Sequence, residues 1–575
     1  MEIFTRQNLF PPLVFSAIIA TLLAGPVTFV ILRIYRWYVI RLMGQRIQHV
    51  EDTPLVDSAS APPHSEITPE YAFTSESKNF SSSSTRDLYR RMRNLSWLTG
   101  GIYAAGWFGA VLLMLTVFIV MYYFSFKAVH QIVRPVDLRY ILVFWMFLSV
   151  PLIFPSIWVI ALVSSRNWFT KALIWGVYFS ISIVWMPALE IASEHAFSFS
   201  ELFLFWLLFF LFPMLLVMGL QYRGMQGVGP LVYLLIFINA LLPLLLFFMW
   251  ISSAQLVETS ALFCITFPVI IFCSLFIGGG ILLFLKFLYQ RKLISETSLM
   301  IDSLWLIFGI LFIFLVYSTP YTSFPVALIS IPICFILYKA FTSICFRLMA
   351  YLNRKRVKDA PELLFLRVFS LGKRSENLYG AISKAWRYIG SIRLITGPDL
   401  VTSTVGPHNF LDFLTGRLRR NFIDCADTLE RRLAQIDCAP DLDGVFRANE
   451  FFCYDNTWRM VLTRLASDNV LVLLDLRQFS PKNKGCIYEI TELINLIPLH
   501  KILFVVDPTT DRAFLQQTVQ GAWSSMHVTS PNQQIKSPQL HLFYYLGKRS
   551  EYNHLLQTLA QMAEISLSSL EQRPI

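Results

Sequence analysis

Two identical six-residue segments carry basic side chains at positions where a phosphate could bind. Leu371-Gly-Lys-Arg-Ser-Glu376 recurs as Leu546-Gly-Lys-Arg-Ser-Glu551, and each copy follows a strand-like apolar run and precedes a helix-like stretch. Helix N-termini favour anions, so Lys and Arg beside them indicate anion binding. The alternative is a turn and helix cap, because Ser375 and Ser550 suit N-cap positions. The copies are expected to lie about 14 Å apart, at about 4.8 Å per strand, so one small ligand should not contact both.

The elements that must position these residues are predicted from residue 362 onward. Short apolar runs alternate with helical stretches there, which predicts a five-stranded parallel sheet covered by helices on both faces. The predicted strands are 363–369, 391–395, 470–475, 501–507 and 540–545. The predicted helices are 376–389, 485–496, 511–519 and 550–563. A less regular region, 397–467, separates the second and third strands, with helices expected near 408–420 and 424–436.

Ligands of such sheets bind beyond the carboxyl ends of the strands, where the strand order reverses. For a flavodoxin-like order 2-1-3-4-5, the loops facing that point are 370–376 and 477–489, and both are charged and rich in small residues. Asp475 and Asp507 end two strands and are expected to cap the following turns. His408 is a lone loop histidine, for which catalysis is an alternative role.

Metal and nucleic-acid chemistry are not indicated by the sequence. The eight cysteines are scattered without a Cys-x-x-Cys pair, so no metal site or redox pair is predicted. The net charge of +11 is carried largely by basic residues beside apolar runs, where they set membrane topology and contact anionic headgroups. We therefore predict no nucleic-acid partner.

The C-terminal region resembles a TIR domain, the Toll/interleukin-1 receptor homology domain. The resemblance rests on the five β-α units, the polar loop after the first strand, and the segment Ser480-Pro-Lys-Asn-Lys-Gly-Cys-Ile-Tyr-Glu489 after the third. TIR domains often have a serine-containing loop there, followed by Cys-x-x-Glu opening a helix. In TIR enzymes this glutamate contacts the nicotinamide-side ribose of NAD and is needed for glycosidic cleavage.

The resemblance implies that Glu489 is a catalytic carboxylate and that NAD is a substrate. The residues implied for binding it are Ser370, Lys373, Arg374, Ser480 and Cys486. A carboxylate suits this reaction because it can stabilise an oxocarbenium-like transition state. Alternatively, Glu489 is a first-turn carboxylate that balances Lys482 and Lys484.

The resemblance covers about 360–565, and the region departs from the TIR pattern in two places. The stretch 397–467 is longer than a typical TIR connection, and Trp386–Asp399 matches no TIR signature. Many TIR domains are assembly modules without activity, so self-association is an expected property under either interpretation.

The rest of the chain predicts a polytopic membrane bundle. Hydrophobic residues make up 55% of the chain and charged residues 15%, whereas soluble proteins are about 25% charged. About nine apolar runs reach the roughly 20 residues that a spanning helix needs. These are 11–33, 97–124, 140–163, 172–192, 199–220, 230–251, 261–288, 303–319 and 323–346. Ionisable residues are nearly absent inside them; Lys339 is expected to reach toward the inner interface, and mid-span Asn239 to form a hydrogen bond between helices.

Basic loops predict the orientation. Arginines follow the first run, whereas the loop Glu190–Glu201 is acidic, which places the N-terminus outside and the C-terminal domain in the cytoplasm. The predicted domains are 1–50 (first span and basic flank), 51–95 (disordered cytoplasmic linker), 96–346 (about eight spans), 347–361 (basic juxtamembrane connector) and 362–575 (TIR-like α/β domain). The expected partners of the connector are anionic lipids.

These observations predict a multi-pass protein of a bacterial inner (plasma) membrane with a role in signalling or defence and a cytoplasmic TIR-like domain that self-associates or hydrolyses NAD. One alternative is a non-enzymatic membrane protein whose α/β domain binds partners or nucleotide. A second alternative is a transporter with a regulatory domain.

Overall fold

A computed structural model describes most of the soluble region and part of the apolar region. The described residues are 10–47, 70–73, 85–130, 168–193, 228–236, 260–318, 324–352, 360–368, 372–401, 404–466, 470–535 and 538–571, with isolated residues between 156 and 239. The chain divides into two compact units. One contains Met1–Leu32, Trp97–Met349 and Gly406–Leu411, and the other contains Arg33–Ser96, Ala350–Val405 and Asp412–Ile575.

Long apolar helices dominate the first 352 residues. They are α1 (Phe10–Met43), α2 (Thr85–His130), α3 (Trp168–Ser193), α4 (Ser260–Gln290), α5 (Glu296–Ser318) and α6 (Phe324–Leu352), with a π-helix at Leu207–Leu211. Within the described residues, four helical stretches are long and apolar enough to cross a membrane: Leu23–Met43, Tyr89–Met121, Ile271–Gln290 and Ile329–Leu352. Membrane association is therefore supported. The total of about nine spans stays a prediction, because much of 131–167, 194–227 and 237–259 lies outside the described residues.

Small and aromatic residues allow the apolar helices to pack closely. A Cβ atom on Gly106 of α2 would lie 2.8 Å from Thr342 Cγ2 on α6, so only glycine fits at this crossing. Next to it, Trp107 meets Trp305 of α5 edge to face, with ring centroids 5.3 Å apart. The contact predicted for Asn239 is long: Ser274 Oγ of α4 lies 3.4 Å from Asn239 Oδ1, whereas its single hydroxyl proton has a closer acceptor, the Ile271 carbonyl at 2.8 Å.

All strands of the sheet are parallel. They are β1 (Glu70–Phe73), β2 (Glu362–Arg367), β3 (Ser391–Thr396), β4 (Phe422–Ile423), β5 (Ala448–Cys453), β6 (Leu471–Asp475), β7 (Ile502–Val506) and β8 (Gln539–Tyr544). Their order is β1-β8-β7-β6-β2-β3-β5-β4. The five predicted strands are found as β2, β3, β6, β7 and β8, in the predicted order.

The prediction of a five-stranded sheet was wrong, because the region after residue 360 contributes seven strands. The two additional strands, β4 and β5, come from the region predicted as irregular and extend the sheet beyond β3. Both are hard to recognise in sequence. β4 has only two residues, and β5 contains the polar residues Asn449 and Glu450, the second of them buried, ahead of its apolar Phe451-Phe452-Cys453.

Seven helices accompany these strands. They are α7 (Lys373–Trp386), α8 (Pro407–Leu414), α9 (Ala426–Leu433), α10 (Trp458–Ala466), α11 (Lys484–Leu496), α12 (Arg512–Ser524) and α13 (Arg549–Glu571). Side chains of α7 and α13 pack with Leu363 and Phe365 on one face of the sheet. Side chains of α10, α11 and α12 pack with Leu364 and Leu366 on the other. This alternation along β2 produces two cores, one on each face.

The strand β1 corrects the prediction that 51–95 is a disordered linker, because Glu70–Phe73 pairs with β8 and α2 already begins at Thr85. The backbone N–H of Glu70 donates to the Pro538 carbonyl over 2.9 Å. An edge strand presents unpaired N–H and C=O groups, which an extended segment with β-favouring Tyr71 and Phe73 can satisfy. The low average hydrophobicity of the surrounding sequence conceals this short strand.

Candidate functional site

The candidate site lies at the carboxyl ends of β2 and β6. These strands are neighbours, and the chain leaves them in opposite directions, β2 toward β3 and β6 toward β7. This reversal is where ligands bind in open parallel sheets. Arg367, Asp475 and Asp507 stand at or just after the carboxyl ends of β2, β6 and β7, and all three side chains are buried.

Asp475 is the centre of a buried ion-pair network. Arg477 donates to both of its carboxylate oxygens, over 2.7 Å each. Ser375, in the first turn of α7, donates to Asp475 Oδ2 over 3.3 Å. Burial lowers the pKa of Arg477, but the hydrogen bonds and charge of Asp475 outweigh this and raise it. Asp475 therefore does more than cap a turn, since it joins β6 to α7 through charge-assisted hydrogen bonds.

Asp507 forms the second half of the same network. Its Oδ2 accepts from Arg374 of α7 over 2.5 Å, and its Oδ1 accepts from the backbone N–H of Thr509 over 2.9 Å. Burial raises the pKa of Asp507, but the hydrogen bonds of Thr509 and the Arg374 guanidinium together hold it below its usual value. Arg477 also donates to the Arg374 carbonyl over 3.0 Å, so both aspartates connect to the first turn of α7.

Glu489 lies in the second turn of α11 and is only 2% exposed. Burial raises the pKa of Glu489 to about 8, against the opposing effects of Arg367 and of a hydrogen bond with Cys486. Among the described residues, no hydrogen-bond partner meets its Oε2 atom. Burial thus favours the neutral acid form of Glu489 in this conformation, and the side chain lies in the second turn of α11, not in the first turn where it would balance Lys482 and Lys484.

Cys486 is buried on the inner side of the same helix. Its Sγ faces the Arg367 carbonyl at 3.9 Å, and burial raises its pKa well above that of a free thiol. A thiol in this environment stays protonated and is a poor nucleophile. Cys486 therefore packs the junction of α11 and β2.

The sheet separates the two groups of predicted site residues. Cys486 belongs to the core under α10, α11 and α12. Asp475 and Asp507 continue the alternation of Leu473 and Val505, which belong to the core under α7 and α13. Arg367 continues the alternation of Phe365 and so belongs to the same face as Asp475. Its guanidinium forms two 2.8 Å hydrogen bonds with Asp399 and acts electrostatically on Glu489. Among the described residues, Arg374 therefore joins the aspartates on one face of the sheet, whereas Cys486 lies on the other.

The other predicted binding residues have different surroundings. Ser370 lies outside the described residues. Lys373 is exposed at the start of α7. Ser480 donates its backbone N–H and its hydroxyl to Asn483 Oδ1, over 2.9 and 3.0 Å, and so stabilises the turn before α11.

The two copies of the repeat behave differently. In the second copy Glu551 closes its own loop, accepting from the backbone N–H groups of Leu546 and Lys548 over 2.7 and 3.1 Å. The second copy therefore agrees with the turn-and-cap interpretation of the repeat. In the first copy Arg374 and Ser375 join the aspartate network instead, although glycine takes a left-handed conformation in both, with φ of 52° at Gly372 and 92° at Gly547.

Several residues of functional interest were missed or misjudged in the sequence. Arg367 was not singled out, and Arg477 was included only as the first residue of a charged loop, although two arginines flanking a parallel-sheet switch point are a usable signal. His408, predicted in a loop, lies in α8, where its ring stacks on Tyr289 with centroids 5.9 Å apart. In the described part of the chain, no group of three or more His, Cys, Asp or Glu side chains is arranged to hold a metal.

A further polar cluster lies between two apolar helices. Lys339 of α6 donates to Asp302 Oδ2 and to Ser298 Oγ of α5, over 2.7 and 2.8 Å. The sequence did not predict this pairing, and the expectation that Lys339 reaches toward the inner interface stays a prediction. Asp302 falls at the edge of an apolar run and was overlooked for that reason.

Comparison with known proteins found no match: no family model, no curated protein and no solved structure is significantly similar to this chain.

Proposed function

We propose that this chain is a membrane-anchored signalling or defence protein whose α/β domain cleaves NAD, with Glu489 as the reactive carboxyl group. The proposal includes a multi-pass bundle in an inner membrane and a cytoplasmic α/β domain. The observation that carries it is the position of Glu489. A fully buried carboxyl group, with one oxygen that no described residue hydrogen-bonds, stands at the switch-point edge of a parallel sheet.

In this proposal the described conformation is a resting state. Cleavage of the bond between ribose and nicotinamide needs an ionised carboxylate, which stabilises positive charge on the ribose. A buried Glu489 with a pKa of about 8 is protonated at neutral pH and cannot do this. Movement that admits NAD would also admit water, lower the pKa toward its ordinary value and ionise the group. Opening and activation would then be one event.

The experiment is an NAD consumption assay on the full-length protein, reconstituted in lipid nanodiscs and studied both dispersed and clustered. We expect nicotinamide release by the wild-type protein, and a loss of at least about 100-fold in Glu489→Gln, the size typical of removing a group that stabilises transition-state charge. Glu492→Gln is the matched control, since Glu492 lies one turn further along α11 and is partly exposed. An inert wild-type protein in both states, or an equally active Glu489→Gln, would contradict the proposal.

A second candidate function is a non-enzymatic interaction or nucleotide-binding module. The interaction role is favoured by the Arg374–Asp507 ion pair, because a guanidinium already paired with a carboxylate is a poor pyrophosphate ligand; the nucleotide-binding role would need other residues to hold the phosphates. Equilibrium binding of NAD without turnover, unaffected by Glu489→Gln, would favour this candidate over the enzyme.

A further inference from the structure

The surface of α6 contains a groove that the proposed function does not use. It has a volume of about 440 Å³, within the range of about 300–1,000 Å³ seen for small-molecule sites. Its lining is apolar except for a row of polar residues. The lining includes Phe335, Ile336, Lys339, Ser343, Ile344 and Arg347. These positions recur every three or four residues, so they share one face of the helix.

Two of the lining residues, Ile336 and Ile344, are suited to contact lipid. Ile336 is 62% exposed and Ile344 is 65% exposed, on a helix apolar enough to span a membrane. Acyl chains are the natural neighbours of such side chains in a bilayer. The groove therefore offers apolar contacts to a chain lying along α6.

One of the lining residues, Lys339, is a cation that α5 holds in place. Asp302 and Ser298 accept two hydrogen bonds from the Lys339 ammonium group, which has three N–H donors. The described residues accept two of these three donors, which leaves the third N–H of Lys339 for a ligand oxygen. Because α5 anchors it, Lys339 cannot reach away along the helix as an unpaired lysine would.

Arg347 supplies the second cation. It lies eight residues after Lys339, about 12 Å along the helix axis, and it is exposed. No carboxylate is among the residues that line the groove. A ligand with an anionic headgroup at Arg347, ester oxygens near Ser343 and Lys339, and an acyl chain along Phe335 and Ile336 would match both the charge and the polarity of this surface.

We propose that the groove on α6 binds one anionic phospholipid, selected over zwitterionic lipids by the charge of Arg347, while the remaining N–H donor of Lys339 bonds an ester oxygen. Arg347 is also the first residue of the basic connector, but this site differs from the general attraction of anionic lipid to the connector because it also uses the lining residues of α6 that precede Arg347. It also does not depend on the chemistry of the α/β domain.

The experiment is native mass spectrometry of the full-length protein, purified in mild detergent and mixed with equal amounts of phosphatidylglycerol and phosphatidylcholine bearing the same acyl chains. We expect one phosphatidylglycerol per protomer to be retained preferentially. Arg347→Gln should reduce this preference about fivefold, the effect of one basic residue near an anionic surface. Ala340 also lines the groove, so Ala340→Phe, which fills the groove without changing charge, should reduce retention of both lipids.

Leu337→Phe is the matched control. Leu337 is 47% exposed on the same helix but does not line the groove, so this variant should retain lipid as the wild type does. Equal retention of the two lipids by the wild-type protein would overturn the proposal. So would a preference lost when Arg354, Lys355 and Arg356 are changed to Gln but kept in Arg347→Gln. A dimer that Ala340→Phe converts to monomers would show that a second copy occupies the groove.

Discussion

At the scale of single residues, burial decides the chemistry of the candidate site. Glu489 and Cys486 occur in a loop-to-helix segment rich in lysine, which suggests solvent and charge. Both side chains instead point under the sheet, where the loss of hydration stabilises their neutral forms. Residue spacing predicted that these groups lie near the switch point, but not that they are closed off from solvent.

The buried acid predicts an unusual dependence of stability on pH. Between the ordinary pKa of 4.5 and about 8, the unfolded chain has released the Glu489 proton and the folded chain retains it. The folded state binds more protons, so Glu489 makes the free energy of unfolding fall as pH rises, by up to about 1.4 kcal/mol per pH unit. Below 4.5 and above about 8 this contribution is constant.

We therefore expect Glu489→Gln, which stays neutral at every pH, to unfold at a higher temperature than the wild type at pH 8, with a smaller difference at pH 5. Thermal unfolding of the detergent-solubilised protein from pH 5 to 9 measures this. Glu492→Gln should leave the slope unchanged. Parallel curves for the wild type and Glu489→Gln would show that Glu489 is hydrated and ionised.

At the scale of elements, one glycine allows two apolar helices to approach closely. Gly106 of α2 faces Thr342, Tyr338 and Phe341 of α6, and a Cβ atom there would meet them at 2.8, 3.1 and 3.2 Å. Thr342 is β-branched and buried, so it has little freedom to move away. Gly109, one turn along the same helix, has no atom within 4 Å of such a Cβ atom.

These two positions make a matched pair. We expect Gly106→Leu to destabilise the protein by about 1–3 kcal/mol, the usual cost of forcing extra atoms into a packed site. Gly109→Leu, with the same change of helix propensity, should cost about 0.5 kcal/mol or less. Thermal unfolding in detergent compares them, and equal losses would mean that α2 and α6 do not cross at Gly106.

At the scale of the whole molecule, the apolar region contains a charged pair that its composition conceals. The Lys339–Asp302 pair lies between α5 and α6, and the Asp302 side chain is only 9% exposed. Ionisable groups in such surroundings are costly, so they are retained in pairs or for function. Here the pair also holds the lysine that lines the proposed lipid groove.

A double-mutant cycle tests the pair. Lys339→Met leaves a buried carboxylate without its partner and should destabilise the protein by about 3–5 kcal/mol. Asp302→Leu should cost less, because the released lysine can reach toward the interface. The double variant should unfold closer to the wild type than Lys339→Met does. Strictly additive effects in thermal unfolding would show that the two side chains do not interact.

The sequence alone determined the features that depend on local patterns. Composition distinguished the apolar region from the α/β region, and alternating apolar runs predicted five parallel strands in the order found around β2 and β6. The boundaries agree within a few residues; the predicted strand 391–395, for instance, is Ser391–Thr396. These features follow from hydropathy and turn chemistry, which are encoded in neighbouring residues.

Only the tertiary structure decided the rest, because it depends on residues distant in sequence. Three strands form only through pairing with strands that are distant in sequence. β1 pairs with β8, β5 pairs with β3 in spite of its polar residues, and the two-residue β4 pairs with β5. Arg374 meets Asp507 across 133 residues, and Lys339 meets Asp302 across 37. Whether a charged side chain binds a ligand or a partner within the protein depends on these long-range neighbours, which residue spacing does not contain.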